Sequence, residues 1–169
     1  MSFLVVDISE LAGRPGASRR IMRAERLPGL RGGMGWVDEG HPVGLNLLAE
    51  SLTDGIAVSG RVSGIMHLSC SRCLMEYSAA FDEWIREVFY FERAEEREGY
   101  EVRGTEIDLE PMLRDAIVLA IPVRPLHREA CRGLCPVCGA DRNVVDCGHS
   151  TAAMDPRWAP LLLTTNREA

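Results

Sequence analysis

The chain has 169 residues, a net charge of −6 and 46% hydrophobic residues. That suits one domain with an appendage or two small ones, and it argues against a protein that coats nucleic acid by bulk charge. All 19 basic residues are arginine, so chemistry that needs a lysine, such as a Walker-A phosphate loop or a Schiff base, is excluded.

Charge is unevenly spread. Residues 1–36 carry six Arg against three acids, whereas residues 94–115 carry eight acids against three Arg. No apolar run approaches the roughly 20 residues of a membrane span, and the first residues lack a signal peptide's charged start and long apolar core. The expectation is a cytoplasmic protein whose thiols stay reduced.

In chain order, Phe3 to Ile8 is a short β-branched run that reads as a strand. Gly13-Arg14-Pro15-Gly16 breaks it. Residues 14–36 mix Arg with Gly at weak periodicity and read as a solvated, Arg-rich loop; the alternative is an arm that touches phosphates. Residues 43–49 alternate as a strand. Residues 56–70 show period two more clearly than any other stretch, with Ile56, Val58, Val62, Met66 and Leu68 on one face. Gly60 and Gly64 suggest a bend, a bulge or a hairpin turn within that run.

Residues 76–92 hold most of the aromatics, and two periods compete. Phe81, Trp84, Ile85, Val88 and Phe89 fit a helix face, while Tyr77, Ala79, Phe81, Ile85, Phe89 and Phe91 fit a strand. Aromatic and β-branched enrichment favours the strand, with these side chains in the core in either case. A charged loop follows over 92–106. A helix is expected over about 108–121: Asp108 as cap, Pro111 in the first turn, an apolar stripe from Leu109 to Ala120, and Pro122 as the stop. The tail around Asp155 to Trp158 is expected to dock one aromatic.

The chemistry is concentrated in residues 127–150, HREACRGLCPVCGADRNVVDCGHS. His127, Cys131, Cys135, Cys138, Cys147 and His149 are six soft or borderline donors within 23 residues, and a tetrahedral zinc ion needs four. The CPVCG core is a metal knuckle: Pro136 sets the turn and Gly139 can take the positive φ that closes it. The first-choice ligand set is Cys131, Cys135, Cys138 and Cys147, with His149 and His127 as alternates. A filled set of four leaves no open position, so the zinc is expected to be structural.

A second C-x-x-C, Cys70-Ser71-Arg72-Cys73, follows the long strand. Three readings are open: small buried residues at a strand turn, half of a four-thiolate site shared with Cys135 and Cys138, or a redox pair. The turn is favoured, because a reactive pair needs a helix start. His41 and His67 have no matched nucleophile and read as surface or hydrogen-bonded histidines.

The fold class expected is therefore α+β: a mainly antiparallel β body over 1–126 with one main helix, a small zinc lobe over 127–150, and a tail over 151–169. Several stretches in order, LVVDISEL, VSGRV, CSRCL and IDLEPMLRDAIVLAIPVRPL running into CRGLCPVCGADRN, resemble the YceD (DUF177) family of large ribosomal RNA subunit accumulation proteins. The ending DPRWAPL resembles actinobacterial members. The resemblance implies a non-enzymatic role in ribosomal RNA accumulation and ribosome biogenesis, with ribosomal RNA, an assembly intermediate of the large subunit or a ribosomal protein as partner, and no small-molecule substrate. Arg19, Arg20, Arg23, Arg132 and Arg142 are the candidate RNA contacts, since guanidinium groups suit phosphate forks and base stacking. The alternatives are a thiol redox protein, or a zinc-bearing interaction module unrelated to ribosomes. A DNA-binding regulator is disfavoured by the acidic balance and the lack of a helix-turn-helix pattern.

Overall fold

The computed structural model describes residues 4–92, 99–149 and Arg157. The regular structure of the described residues is mainly antiparallel sheet, with a single α-helix, as the periodicities predict. Strand β1 (Val5–Asp7) pairs with β9 (Glu106–Asp108) in a small two-stranded sheet. The large sheet is built on β6 (Gly55–Ser69). One edge of β6 pairs along its whole length with β7 (Glu76–Tyr90). Its other edge pairs first with β5 (Val43–Ser51) and then with β4 (Gly35–Val37). β2 (Ser18–Glu25) extends the sheet beyond β5, β3 (Arg31–Gly32) extends it beyond β4, and β8 (Tyr100–Glu101) pairs parallel with the end of β7.

Side chains alternate across this sheet as period two requires. Leu45 and Leu47 of β5, Val58, Val62 and Met66 of β6, and Phe81, Ile85 and Phe89 of β7 are buried on one face. They share one core with Met112, Leu113 and Ile117 of helix α1 (Glu110–Ala120) and with Val6 and Ile107 of the small sheet. Each such side chain contributes about 1.5–3 kcal/mol on burial. Among the described residues, no helix covers the opposite face of the sheet, and most of its side chains are exposed.

Four expectations need correcting. Residues 14–36 are not a loop: β2, β3 and β4 lie there, because backbone pairing with β5 and β6 does not require apolar periodicity in the edge strand itself. Of β2, only Ile21 is buried. The run 55–69 contains no hairpin, since its register with β7 is unbroken through Gly60 and Gly64. The glycines are there for close approach: a Cβ on Gly60 would clash with the Asn46 carbonyl oxygen, and one on Gly64 would meet the Phe81 ring at 2.8 Å. Residues 76–90 are a strand, but Trp84 is not a core residue; it lies on the open face and is 64% exposed. Finally, the 92–106 segment contributes β8 and the start of β9.

The helix starts two residues later than expected, at Glu110. Asp108 still serves its entry, accepting the Glu110 N–H at 3.0 Å. The Asp155–Trp158 stretch lies outside the described residues, apart from Arg157.

Candidate metal centres

Two chain reversals repeat one geometry. The first joins β6 to β7 over residues 70–75. The Cys70 N–H donates to the Met75 carbonyl at 2.9 Å, and the Leu74 N–H donates to the Cys70 carbonyl at 2.8 Å. The second covers residues 135–140. The Cys135 N–H donates to the Ala140 carbonyl at 2.8 Å, and the Gly139 N–H donates to the Cys135 carbonyl at 2.8 Å. In each, the residue after the second cysteine has a positive φ: 61° at Leu74 and 72° at Gly139. Each reversal is thus the same knuckle, presenting two thiols on one side.

Each knuckle is completed by two donors from the C-terminal segment. Cys70, Cys73, His127 and Cys131 form one group; Cys135, Cys138, Cys147 and His149 form another. Within each group the donor atoms lie within 4.8 Å of one another. The first group is the deeper: Cys70, Cys73 and Cys131 are buried, whereas Cys138 and His149 are exposed.

The sequence reading put Cys131 with Cys135, Cys138 and Cys147. In the structure, Cys131 Sγ is 3.8 Å from Cys70 Sγ, and the two alternates, His127 and His149, fall one in each group. The two C-x-x-C pairs do not share a site. Linear spacing favoured the compact set within 127–150, whereas the fold lays the 125–134 segment alongside the first knuckle. The Ser71 N–H donates to the Pro125 carbonyl at 2.8 Å, and the Leu134 N–H to the Arg72 carbonyl at 2.9 Å.

The donor geometry fits a tetrahedral ion. Zinc–sulfur bonds of about 2.3 Å give a sulfur–sulfur edge of about 3.8 Å, and zinc–nitrogen bonds of about 2.0–2.1 Å give a sulfur–nitrogen edge of about 3.6 Å. The observed contacts are 3.8 Å for Cys70–Cys131, 3.4 Å for Cys73 Sγ to His127 Nδ1, and 3.8 Å for Cys135 Sγ to His149 Nδ1. A disulfide would need about 2.05 Å, and all six cysteines are free thiols.

Electrostatics point the same way. Burial would push the Cys70 thiol up. Hydrogen bonds from the His127 ring and from the backbone N–H groups of Cys73, His127 and Arg72 outweigh it and bring the thiol down to about 5. At Cys135 the N–H groups of Cys138 and Val137 win against burial and hold the thiol at about 6. The second cysteine of each pair is raised. At Cys73 the Met75 N–H works the other way but is outweighed by burial and by the adjacent sulfurs of Cys70 and Cys131. At Cys138 the Ala140 N–H is outweighed by the Cys135 sulfur and burial. Each group thus accepts one negative charge readily and resists a second; a divalent cation among the sulfurs removes that conflict.

Two residues that spacing did not single out tie the groups together. Asn143 Nδ2 points to Cys131 Sγ at 3.5 Å, while Asn143 Oδ1 accepts from the Arg132 N–H and from Arg128 Nη2, each at 2.8 Å. Asn143 sits between Cys138 and Cys147, so the second group's loop supports a donor of the first. Arg72 Nη1 donates to the Cys131 carbonyl at 2.8 Å. Only the bare composition of the DRN segment hinted at this, since Asp and Asn commonly fold back on nearby backbone.

The arginine candidates are dispersed. Arg19 Nη1 donates to the Asp7 carbonyl at 2.9 Å, Arg20 and Arg23 are exposed on β2, and Arg132 and Arg142 flank the second knuckle. No helix among the described residues is long and apolar enough to cross a membrane.

The family model described as "Large ribosomal RNA subunit accumulation protein YceD" matches residues 58–163, which include all six cysteines and both C-terminal histidines. The chain is 34% identical over 166 residues to the uncharacterized protein Rv2926c of Mycobacterium tuberculosis, covering 94% of this chain and 80% of that protein. It is 33% identical over 171 residues to the uncharacterized protein ML1660 of Mycobacterium leprae, covering 95% and 77%. It is 29% identical over 124 residues to the uncharacterized protein YlbN of Bacillus subtilis, covering 71% and 72%. No solved structure matches the chain.

Proposed function

The chain belongs to the YceD family, and on that premise we propose that it supports the accumulation of large-subunit ribosomal RNA as a non-enzymatic factor that binds single-stranded RNA on the open face of its sheet. Both Cys/His groups hold structural zinc in this reading. Thiolate and imidazole donors in tetrahedral array suit zinc, and four protein ligands leave no position for a substrate or an activated water. Zinc then fixes the C-terminal segment to the body and takes no part in a reaction.

The observation that carries the RNA contact is a cross-strand row. Met22, Asn46, Arg61 and Trp84 lie opposite one another across β2, β5, β6 and β7. The adjacent row is Arg20, Leu48, Ser59 and Arg86. An exposed indole thereby stands opposite Arg61 and two residues along β7 from Arg86, while Arg20 lies three strands away on β2. Bases stack on such an indole, and guanidinium groups fork onto phosphates or stack in turn. Arg61 holds Asp82 at 2.7 Å, but both side chains are more than half exposed, so exchanging that partner for a phosphate costs little. Arg23 lines the shallow depression beside the row, together with Met22, Asn46 and Arg61.

The test is a binding titration of single-stranded fragments of large-subunit ribosomal RNA at low and at physiological salt. Trp84→Ala is expected to weaken binding roughly 10- to 100-fold, the worth of one stacked base. Its unfolding midpoint should not move, because the side chain is exposed. No binding at low salt, or binding indifferent to both Trp84→Ala and Arg61→Ala, would reject the contact.

A thiol redox role is the competing reading, and the low Cys70 thiol favours it. Against it, Cys70 is fully buried, whereas a reactive thiol needs an attacking path. Alkylation of the folded, metal-loaded protein should leave Cys70 unmodified.

A further inference from the structure

The open face carries a second constellation, centred on His67 of β6. The ladder places Trp36 of β4 opposite His67 on one side and Ser78 of β7 opposite it on the other. The Trp36 ring stacks on the imidazole with centroids 5.4 Å apart and planes at 20°. The Ser78 hydroxyl lies 3.1 Å from His67 Nδ1. A ring stacked on one side and hydrogen-bonded at Nδ1 has its direction set, and its Nε2 faces Asp38, whose Oδ2 is 3.8 Å away.

Asp38 follows β4 directly and is itself fixed. Its Oδ1 accepts the Gly40 N–H at 2.9 Å, and its carbonyl accepts the His41 N–H at 3.2 Å. The same turn brings His41 Nδ1 to 2.8 Å from Asp38 Oδ2. One carboxylate oxygen therefore faces two imidazole nitrogens. The Gly40 N–H first, and the His41 ring second, keep the Asp38 carboxyl below the usual carboxylate range, so it is anionic at neutral pH.

The Asp38–His67 separation is too long for a hydrogen bond. In tetrahedral geometry, metal bonds of about 2.0–2.1 Å give an oxygen–nitrogen edge of about 3.3–3.4 Å, and the two observed distances, 2.8 and 3.8 Å, bracket it. The three donor atoms lie within 4.8 Å of one another. The setting of His67 is also the one metal-binding histidines need, with the far nitrogen engaged and the near one free.

We propose that Asp38, His41 and His67 form a third metal site, for a borderline divalent ion such as zinc, nickel or cobalt. Two imidazoles and a carboxylate suit these ions better than calcium or magnesium, which take oxygen donors. Three ligands at a half-exposed position leave coordination open to water. The ion at this site therefore exchanges with solution, unlike ions closed in by thiolates. It ties the loop after β4 to the last residues of the long strand β6. This inference does not depend on the RNA reading.

Calorimetric titration of zinc into protein whose Cys/His groups are already filled tests it, with the His41 and His67 ring protons followed by NMR. One further equivalent should bind with micromolar affinity and shift both rings. Asp38→Asn and His67→Ala should each weaken that step at least tenfold, and Ser78→Ala, which leaves all three donors in place, about tenfold through ring orientation. Thermal unfolding without added zinc should match the parent protein, which separates ligand loss from misfolding; should His67→Ala misfold, Asp38→Asn and Ser78→Ala carry the test. No further equivalent, or one that Asp38→Asn and Ser78→Ala leave unchanged, would overturn the proposal.

Discussion

The two Cys/His groups share a knuckle and differ in what surrounds it. The first takes its knuckle from the turn between the two longest strands and its other donors from a segment more than 50 residues away, His127 and Cys131. The second takes all four donors from residues 135–149 and leaves Cys138 and His149 exposed. On the proposed reading, one fastens the segment around residues 127–131 to the sheet, while the other organises a short loop. The same local chemistry serves different ends, and the difference lies in chain separation and burial. Closing a long loop removes more conformational freedom from the unfolded chain than closing a short one.

The sharpest break between them should come from ligand removal. Cys70→Ala or Cys131→Ala is expected to release one ion and to lower the stability of the whole protein by several kcal/mol, because ligation energy of about 10–16 kcal/mol is folding energy where no preformed site exists. Cys138→Ala should also release one ion, but leave the β body's cooperative unfolding almost unchanged. Elemental analysis with thermal unfolding reads both. Equal destabilisation by the two substitutions would erase the distinction.

Acid should separate the groups next. A thiol held below its ordinary 9.0 contributes stability that is full above about pH 9, shrinks as pH falls, and is gone once the folded-state value is passed. That value is about 6 for Cys135 and about 5 for Cys70. Acidification should therefore free the second, more exposed group's ion first, with the first group holding to lower pH. A metallochromic indicator followed from pH 8 to pH 4 should record two steps, the earlier one abolished by Cys138→Ala.

Asn143→Ala probes the link between the groups. It removes an N–H from the Cys131 sulfur and an acceptor from Arg128 and the Arg132 N–H. The expected cost is about 1–3 kcal/mol, and it should fall on the first group although the residue sits in the second group's loop. The smallest effect concerns the knuckles themselves. Leu74 is the one non-glycine with positive φ among the described residues. Leu74→Gly should be neutral or slightly stabilising, while Gly139→Leu should cost about 1–2 kcal/mol, both measured by denaturant unfolding.

Much of this was legible in the sequence. Period two over 56–69 marked the strand on which the sheet is built, and the cap, proline and apolar stripe at 108–121 marked the helix. β2 was not legible, because an edge strand with one buried side chain carries no alternating apolar signal. Trp84 was misplaced for a related reason: burial was inferred from residue type, and a strand open on one face sends every second side chain to solvent. The six donors of 127–150 were all found, as was the C-x-x-C at Cys70. Their division into two sets was not legible, because it depends on residues 125–134 lying beside the first turn, a contact over more than 50 residues that spacing rules do not encode. The Asp38, His41 and His67 group was hidden likewise, since only strand register brings Ser78 and Trp36 to either side of His67.

X-ray absorption at the zinc edge, with zinc quantified per chain on protein dialysed free of loosely held metal, tests the division into two centres most directly. Two zinc ions per chain, each with three sulfur neighbours and one nitrogen on average, is the result this account predicts. A single zinc with four sulfur neighbours, the signature of an all-thiolate set through Cys131, would contradict it.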